Sequence, residues 1–405
     1  MAQTGTERDG GGRAARRRIG VGLIGFGWLG QAHSRSLQRI RTLFPEREFE
    51  PELTHVSDTD PARVEEAVAS FGYARGGADW RRVIDDPAVD VVMIAAPNAL
   101  HVELIEAAAE AGKAVFCEKP VGGTPRETAR AERAARRAGV IAGVGYNYRW
   151  APLVRYAARL VADGQLGRVT NYRGRFFSMY GSDPLGLLSW RFRLDEGGHG
   201  VTTDLLSHAV DLAHVLVGPI GRVVGTVETF IRERPLPEPS GGTHYGRGRT
   251  GDPTGEVTNE DYAGMLCEFE DGARGSFEAA RTLLGPESQM AFDLYGTGGA
   301  LAWNLERMNE LQVYLATGEP HSGYTTVYGG DRFPYHGRFV PGNANGIGFE
   351  DLVAIEDFEF CRSVAEGRPH SPGFGDALAA VSVQAALLRS CESGRWEEVV
   401  SLREE

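Results

Sequence analysis

Cysteine is scarce in this chain. Its four cysteines, Cys117, Cys267, Cys361 and Cys391, lie far apart and none forms a CxxC pair. That spacing argues against a zinc knuckle or a disulfide frame and fits a reducing compartment, each thiol being expected as a small buried side chain. No stretch reaches the ~18 apolar residues that cross a bilayer, so no membrane partner is expected. Positive charge is outweighed: 43 Lys and Arg face 55 Asp and Glu, for a net charge of -12. A nucleic acid needs a basic face, so that class of partner is excluded as well. No segment repeats.

What is present is an ordinary globular composition over 405 residues, 42% hydrophobic and 24% charged, enough for two domains. Residues 1–17 are polar and glycine-rich and read as a disordered tail. Arg16-Arg17-Arg18 before the apolar stretch Ile19 to Leu29 imitates a twin-arginine signal. The glycines that follow fall in phase with a nucleotide loop, so the stretch reads as a first strand and the chain as cytoplasmic.

From Ile19 to Val144 short apolar runs alternate with helical patterns. Strands are expected at 19–24, 53–57, 89–95, 114–117 and 140–144, with helices at 28–40, 61–71, 101–111 and 124–138. Alternation of this kind predicts a parallel, doubly wound α/β sheet. Beyond it the pattern changes. Helices at 152–163 and 202–217 accompany strands at 169–177, 223–231, 262–269, 273–280, 290–295 and 311–315, with hairpin-like turns at 270–272 and 296–299. Helices at 350–365 and 376–393 close the chain. Segment 235–255, rich in Pro and Gly, reads as a long surface loop. The expected organisation is an α/β domain over 18–148 and an α+β domain over 149–405 with a mixed, mostly antiparallel sheet.

Three motifs carry chemistry. Gly25-Phe26-Gly27-Trp28-Leu29-Gly30 is G-x-G-x-x-G between a strand and a helix. Its first glycine serves the turn, the second the approach of a pyrophosphate, and the third the packing of helix on strand. Asp58 ends the second strand, where a carboxylate meets ribose hydroxyls and repels a 2′-phosphate. Thr59, Asp60 and Pro61 follow it without an Arg, which favours NAD over NADP. The gap from Gly30 to Asp58 is long, as if an insertion lay at 44–52. The second motif comprises Ala96-Pro97-Asn98 with His101 and Glu118-Lys119-Pro120, at the carboxyl ends of parallel strands where such sheets bind ligands. The third is Asp204, His208 and Asp211, at i, i+4 and i+7 on one expected helix face. There a histidine near a carboxylate can serve as a general base, its pKa raised above about 6.5 by that neighbour. A bivalent metal site is disfavoured, because no further His or Cys stands at ligand spacing.

Together these pieces resemble the Gfo/Idh/MocA oxidoreductase family. Tyr146-Asn147-Tyr148-Arg149 and Trp190-Arg191 add to the likeness, all in the family's order. The resemblance implies a Rossmann domain over 18–148, then a substrate and oligomerisation domain over 149–405 on a large, mostly antiparallel open sheet, its last helix packed back on the first domain. It implies a catalytic Lys119 with Asp204 and His208. It also implies cofactor contacts from Gly25 to Gly30, Asp58, Ala96, Pro97, Asn98, His101, Glu118, Lys119, Asn147, Trp190 and Arg191. Substrate contacts are implied from Lys119, Asn147, Arg149, Arg191, Asp204 and His208. Ser182-Asp183-Pro184, Leu188 to Phe192, Ile231 to Pro235 and Glu310 to Val313 resemble the levoglucosan dehydrogenase branch, whose members oxidise pyranosides with NAD. Where the family often carries three glycines, this chain has Gly197-Gly198-His199-Gly200, so His199 adds a polar group near the site.

The implied function is an NAD-dependent dehydrogenase of a secondary hydroxyl on a cyclic sugar or polyol, such as levoglucosan or an inositol, in a homodimer or homotetramer. His208 takes the hydroxyl proton, Lys119 steadies the oxygen, and Asp204 orients His208 and substrate. Two rivals use the same fold: an NAD-dependent glycosidase working by oxidation, elimination and reduction, and a non-catalytic NAD-binding regulator.

Overall fold

The computed structural model describes residues 16–237, 246–319 and 322–400. Most of the expected tail and part of segment 235–255 lie outside the described residues.

The first sheet is built from β1 (Arg17–Ile24), β2 (Phe49–Ser57), β3 (Arg75–Gly77), β4 (Val91–Ile94), β5 (Ala114–Cys117) and β6 (Ala142–Val144). Its order is β3-β2-β1-β4-β5-β6, with every pairing parallel. Helices α1 (Trp28–Leu43), α2 (Pro61–Ala69), α3 (Arg81–Ile84), α4 (His101–Glu110) and α5 (Pro125–Ala138) join the strands. The order reverses between β1 and β4, which places the ligand crevice of such a sheet at their carboxyl ends. β1 and β2 both start earlier than the sequence suggests. The segment read as an insertion supplies the pairing residues, with Arg17 opposite Phe49 and Gly20 opposite Glu52. Arg17 therefore belongs to a strand, not to a tail, and its guanidinium donates to the carbonyls of Val364 and Ala365.

The second sheet follows α6 (Pro152–Ala162). It contains β7 (Val169–Ser178), β8 (Ile220–Glu228), β11 (Tyr262–Phe269), β12 (Arg274–Ala280), β13 (Ser288–Gly296), β14 (Gly299–Asn304), β15 (Glu310–Leu315), β16 (Thr325–Tyr328) and β17 (Glu397–Glu398). A two-stranded ribbon of β9 (Glu233–Pro235) and β10 (Thr254–Glu256) stands apart, so the ends of the expected 235–255 loop form a hairpin. The nine strands run β16-β15-β14-β13-β7-β12-β11-β8-β17, antiparallel except where β12 meets β7. Alternation decides the faces. Tyr172, Phe176, Ala263, Met265, Phe277 and Leu294 are buried on one side, whereas Arg173, Leu266 and Glu278 on the other are exposed.

Between β7 and β8 the chain makes α7 (Leu194–Gly197) and α8 (Ser207–Leu216), and it closes with α9 (Phe349–Glu366) and α10 (Phe374–Ser393). α10 reaches back to the first sheet's helices, where Leu378 and Val381 pack on Ala129 of α5. α9 does the same on α1, a contact the sequence did not suggest. Phe358 stacks on Phe44 with ring centroids 3.8 Å apart, and Arg35 and Arg39 pair with Glu350 and Asp351.

Candidate active site

The glycine loop has the shape a pyrophosphate needs. Gly25 has a φ of 94°, and a Cβ there would meet the Ala95 carbonyl oxygen at 2.5 Å. At Gly30 a Cβ would lie 2.1 Å from the Gly25 oxygen, so helix and turn close only without a side chain. At Gly27 nothing lies within 4 Å, which leaves open space in front of the N-terminus of α1. These residues fit a bound dinucleotide. Phe26 is fully buried, and Trp28, 62% exposed, stacks on Phe349 at 5.4 Å.

Asp58 stands at the end of β2 as expected, but its carboxylate also holds the loop. Oδ2 accepts from the Phe26 N–H at 2.7 Å and Oδ1 from the Asp60 N–H at 2.9 Å. Asp60, not Asp58, caps α2. Arg63 lies 3.7 Å from Asp58, so an arginine does attend this position, two residues beyond Pro61.

The turns after β4 and β5 face each other. Asn98 donates to the carbonyl of Gly197 at 3.1 Å, which ties the first turn to α7. His101 lies inside the protein, its Nδ1 2.7 Å from the Pro120 carbonyl and its Nε2 2.8 Å from that of Ala96. Burial pushes its pKa down. His101 thus ties the two turns together, with its ring nitrogens facing main-chain carbonyls of both. Glu118 is also turned inward, its Oε1 2.9 Å from His33 Nε2.

Lys119 and Asp204, 85 residues apart, meet directly. Lys119 Nζ donates to Asp204 Oδ1 at 2.7 Å and to the Asp204 carbonyl at 2.8 Å. The other carboxylate oxygen accepts from Tyr180 Oη at 3.1 Å and Arg191 Nη1 at 3.2 Å. Burial works to raise the Asp204 pKa, but the Lys119 and Arg191 cations outweigh it and hold the carboxyl well below the usual carboxylate range. Arg191 is itself anchored through its carbonyl, which accepts from Asn259 and Arg281, and its guanidinium lies over the Trp190 ring.

Two expectations about the third motif need correction. Residues Thr202–Leu206 form a π-helical turn ahead of α8. Asp204 engages Lys119, Tyr180 and Arg191. His208 instead lies among Tyr146, Tyr148 and Phe176, and its buried Nδ1 has no hydrogen-bond partner. Burial and the Lys119 charge push its pKa well below 6.5 against the pull of Asp204, the reverse of the expected shift.

The Arg149 guanidinium grips Asp211 through Nε and Nη2 and reaches Asp376 at 3.0 Å. It thereby fastens α8 to α10, and Asp211 is its partner. Asn147 is buried in the turn after β6, and His199 lies 3.6 Å from Glu260. Tyr180, His33 and Asp357 were missed by sequence reasoning. Tyr180 carries no signal beyond following a strand. His33 stands three residues after Gly30, a spacing that could have marked it.

The family described as "Oxidoreductase family, NAD-binding Rossmann fold" matches residues 19–146, and the Gfo/Idh/MocA C-terminal domain matches residues 154–302. Levoglucosan dehydrogenase of Pseudarthrobacter phenanthrenivorans is 36% identical over 95% of this chain and 98% of its own. The NAD(+)-dependent scyllo-inositol 2-dehydrogenase of Bacillus subtilis is 28% identical over 74% of this chain and 78% of its own. A solved levoglucosan dehydrogenase in complex with NADH superposes with a TM-score of 0.90 at 34% identity, over 95% of this chain and 100% of that one. With its glycine loop, doubly wound sheet and open second sheet, this chain belongs to the Gfo/Idh/MocA family of NAD-dependent oxidoreductases.

Proposed function

We propose that this enzyme oxidises a secondary hydroxyl of a cyclic sugar or polyol to a ketone, with a pyranoside of the levoglucosan type as the leading substrate class. The Lys119–Asp204 contact carries the reading: a charged amine held by a carboxylate at the carboxyl end of β5, in the crevice of the switch point. Gly25, Gly27, Gly30 and Asp58 are the residues that would hold NAD, and NAD bound there supplies the hydride acceptor.

The protein's own part is proton transfer and charge stabilisation. His208, kept neutral by burial and by Lys119, takes the hydroxyl proton. Lys119 turns a hydrogen bond from Asp204 to the substrate oxygen and stabilises its growing negative charge. Asp204 aims the amine, Tyr180 and Arg191 aim Asp204, and Asn147 and Arg191 help line the substrate pocket. The similarity of the levoglucosan dehydrogenase, spread over nearly the whole chain, supports the pyranoside class over the inositols. We also propose a homodimer or homotetramer joined through the open face of the second sheet. Initial rates for a panel of anhydrosugars, pyranosides and inositols with NAD and with NADP test the reading. Turnover of an anhydrosugar or pyranoside with NADH release supports it; NADH release with none of these alcohols rejects it.

A further inference from the structure

A second polar cluster lies behind the Lys119 site. His33 of α1 is 1% exposed, and both its nitrogens face carboxylates. Nε2 is 2.9 Å from Glu118 Oε1, and Nδ1 is 2.8 Å from Asp357 Oδ1 on α9. An ionised carboxylate only accepts, so a ring bridging two of them donates from both nitrogens, as imidazolium. Gly145 leaves room for this arrangement, since a Cβ there would lie 2.8 Å from Glu118 Oε1. Three ionisable groups buried together cost more than an apolar core of the same volume, so the bridge is not explained by stability alone. Its position is informative. Its centre, His33, lies on the helix that opens at the glycine loop, and its two ends are Asp357 on α9 and Glu118, the residue directly before Lys119.

We propose that the Glu118–His33–Asp357 bridge positions Lys119, fixing the backbone from which the amine reaches Asp204. His33 and Asp357 are thus positioning residues that act through Glu118. The proposal rests on the reading of Lys119 as catalytic.

The charges around Glu118 decide how the bridge can be tested. The carboxyls of Glu356 and Asp357 on α9 lie near Glu118, and burial raises the pKa of both, while His33 on α1 pairs with Glu118. Burial keeps Tyr148, His101 and Cys117 neutral at working pH, so they add no charge. Replacing His33 by Gln retains a donor for Glu118 and deletes the cation. Asp357, its pKa already raised by burial, then loses its cation, and the pair of carboxyls takes up a proton at higher pH.

The His33→Gln enzyme should show a kcat/KM that falls about tenfold or more as pH drops through a new acid limb, one absent from the parent enzyme. Activity should recover at high pH. NADH affinity, measured by fluorescence titration, should stay flat over the same range. A triple variant, His33→Gln with Glu118→Gln and Asp357→Asn, removes both carboxyls of the bridge, so the limb should vanish. A pH-independent loss in the single variant, NADH affinity falling in step with rate, or a limb surviving in the triple variant would each overturn the proposal. Should His33→Gln fail to fold, Asp357→Asn leaves the ring in place with one partner fewer and should show a weaker form of the limb; a flat profile rejects the bridge. Failure of the underlying reading shows separately, as normal turnover by Lys119→Ala.

Discussion

Lys119 closes on Asp204 twice, through the carboxylate at 2.7 Å and the backbone carbonyl at 2.8 Å. The second bond goes to main chain inside the π-helical turn, so the position of the amine depends on that turn as well as on the carboxylate. π-turns are uncommon and concentrate at functional sites, and here Asp204 meets the turn after β5 that bears Lys119.

Lys119→Ala should keep NADH affinity and lose turnover by about a hundredfold or more, the usual loss when one stabiliser of developing negative charge is removed. Fluorescence titration and steady-state rates check the two halves. Near-normal kcat would reject the role.

The His208 base should work to unusually low pH. Its pKa is depressed, so the competent neutral imidazole persists below 6.5. The acid limb of kcat/KM should therefore lie under about pH 6.5 and not above it. His208→Asn should cost about a hundredfold or more and abolish that limb. Asp204→Asn should push the limb lower still, because the one nearby charge that favours imidazolium is gone while Lys119 remains. A parent limb above pH 7, or a limb unmoved in His208→Asn, would assign the proton to another group.

The glycine loop should separate binding from folding. Gly27→Ala meets open space, so thermal stability should hold while NADH affinity drops, the methyl occupying room a pyrophosphate needs. Gly30→Ala drives a Cβ into the Gly25 carbonyl and should lower the melting temperature of the free protein. Identical melting behaviour of the two variants would contradict this division.

Cofactor preference should turn on Asp58. Asp58→Ser removes the charge that repels a 2′-phosphate and frees Arg63 to meet one. The NAD to NADP ratio of kcat/KM should fall by about tenfold or more. Because Asp58 also accepts from Phe26, absolute affinity for both cofactors should weaken. An unchanged ratio would mean that selectivity lies elsewhere.

In solution the chain should assemble. The open face of the nine-stranded sheet carries Leu266 at 54% exposure amid polar neighbours, a surface suited to a second copy. Light scattering should return a multiple of 43.9 kDa, and Leu266→Glu should lower it; a monomer mass for the parent chain would contradict the proposal.

Local rules were legible in the chain itself. The glycine spacing announced the nucleotide turn because only glycine tolerates a φ of 94° and the contacts at Gly25 and Gly30. Hydrophobic period separated a parallel sheet from an alternating one, and Thr124 and Gly139 mark the ends of α5 by N-cap and left-handed C-cap chemistry. What sequence could not decide were contacts between elements far apart in the chain. Lys119 finds Asp204 across 85 residues, Arg149 finds Asp376 across 227, and His33 finds Asp357 across 324. No period or spacing encodes such meetings. They arise when α8 packs on the second sheet, α9 on the first, and α10 between the two, and they set which groups are buried. Burial then reversed the expected shift at His208, since the loss of solvent and the nearness of Lys119 outweigh one carboxylate.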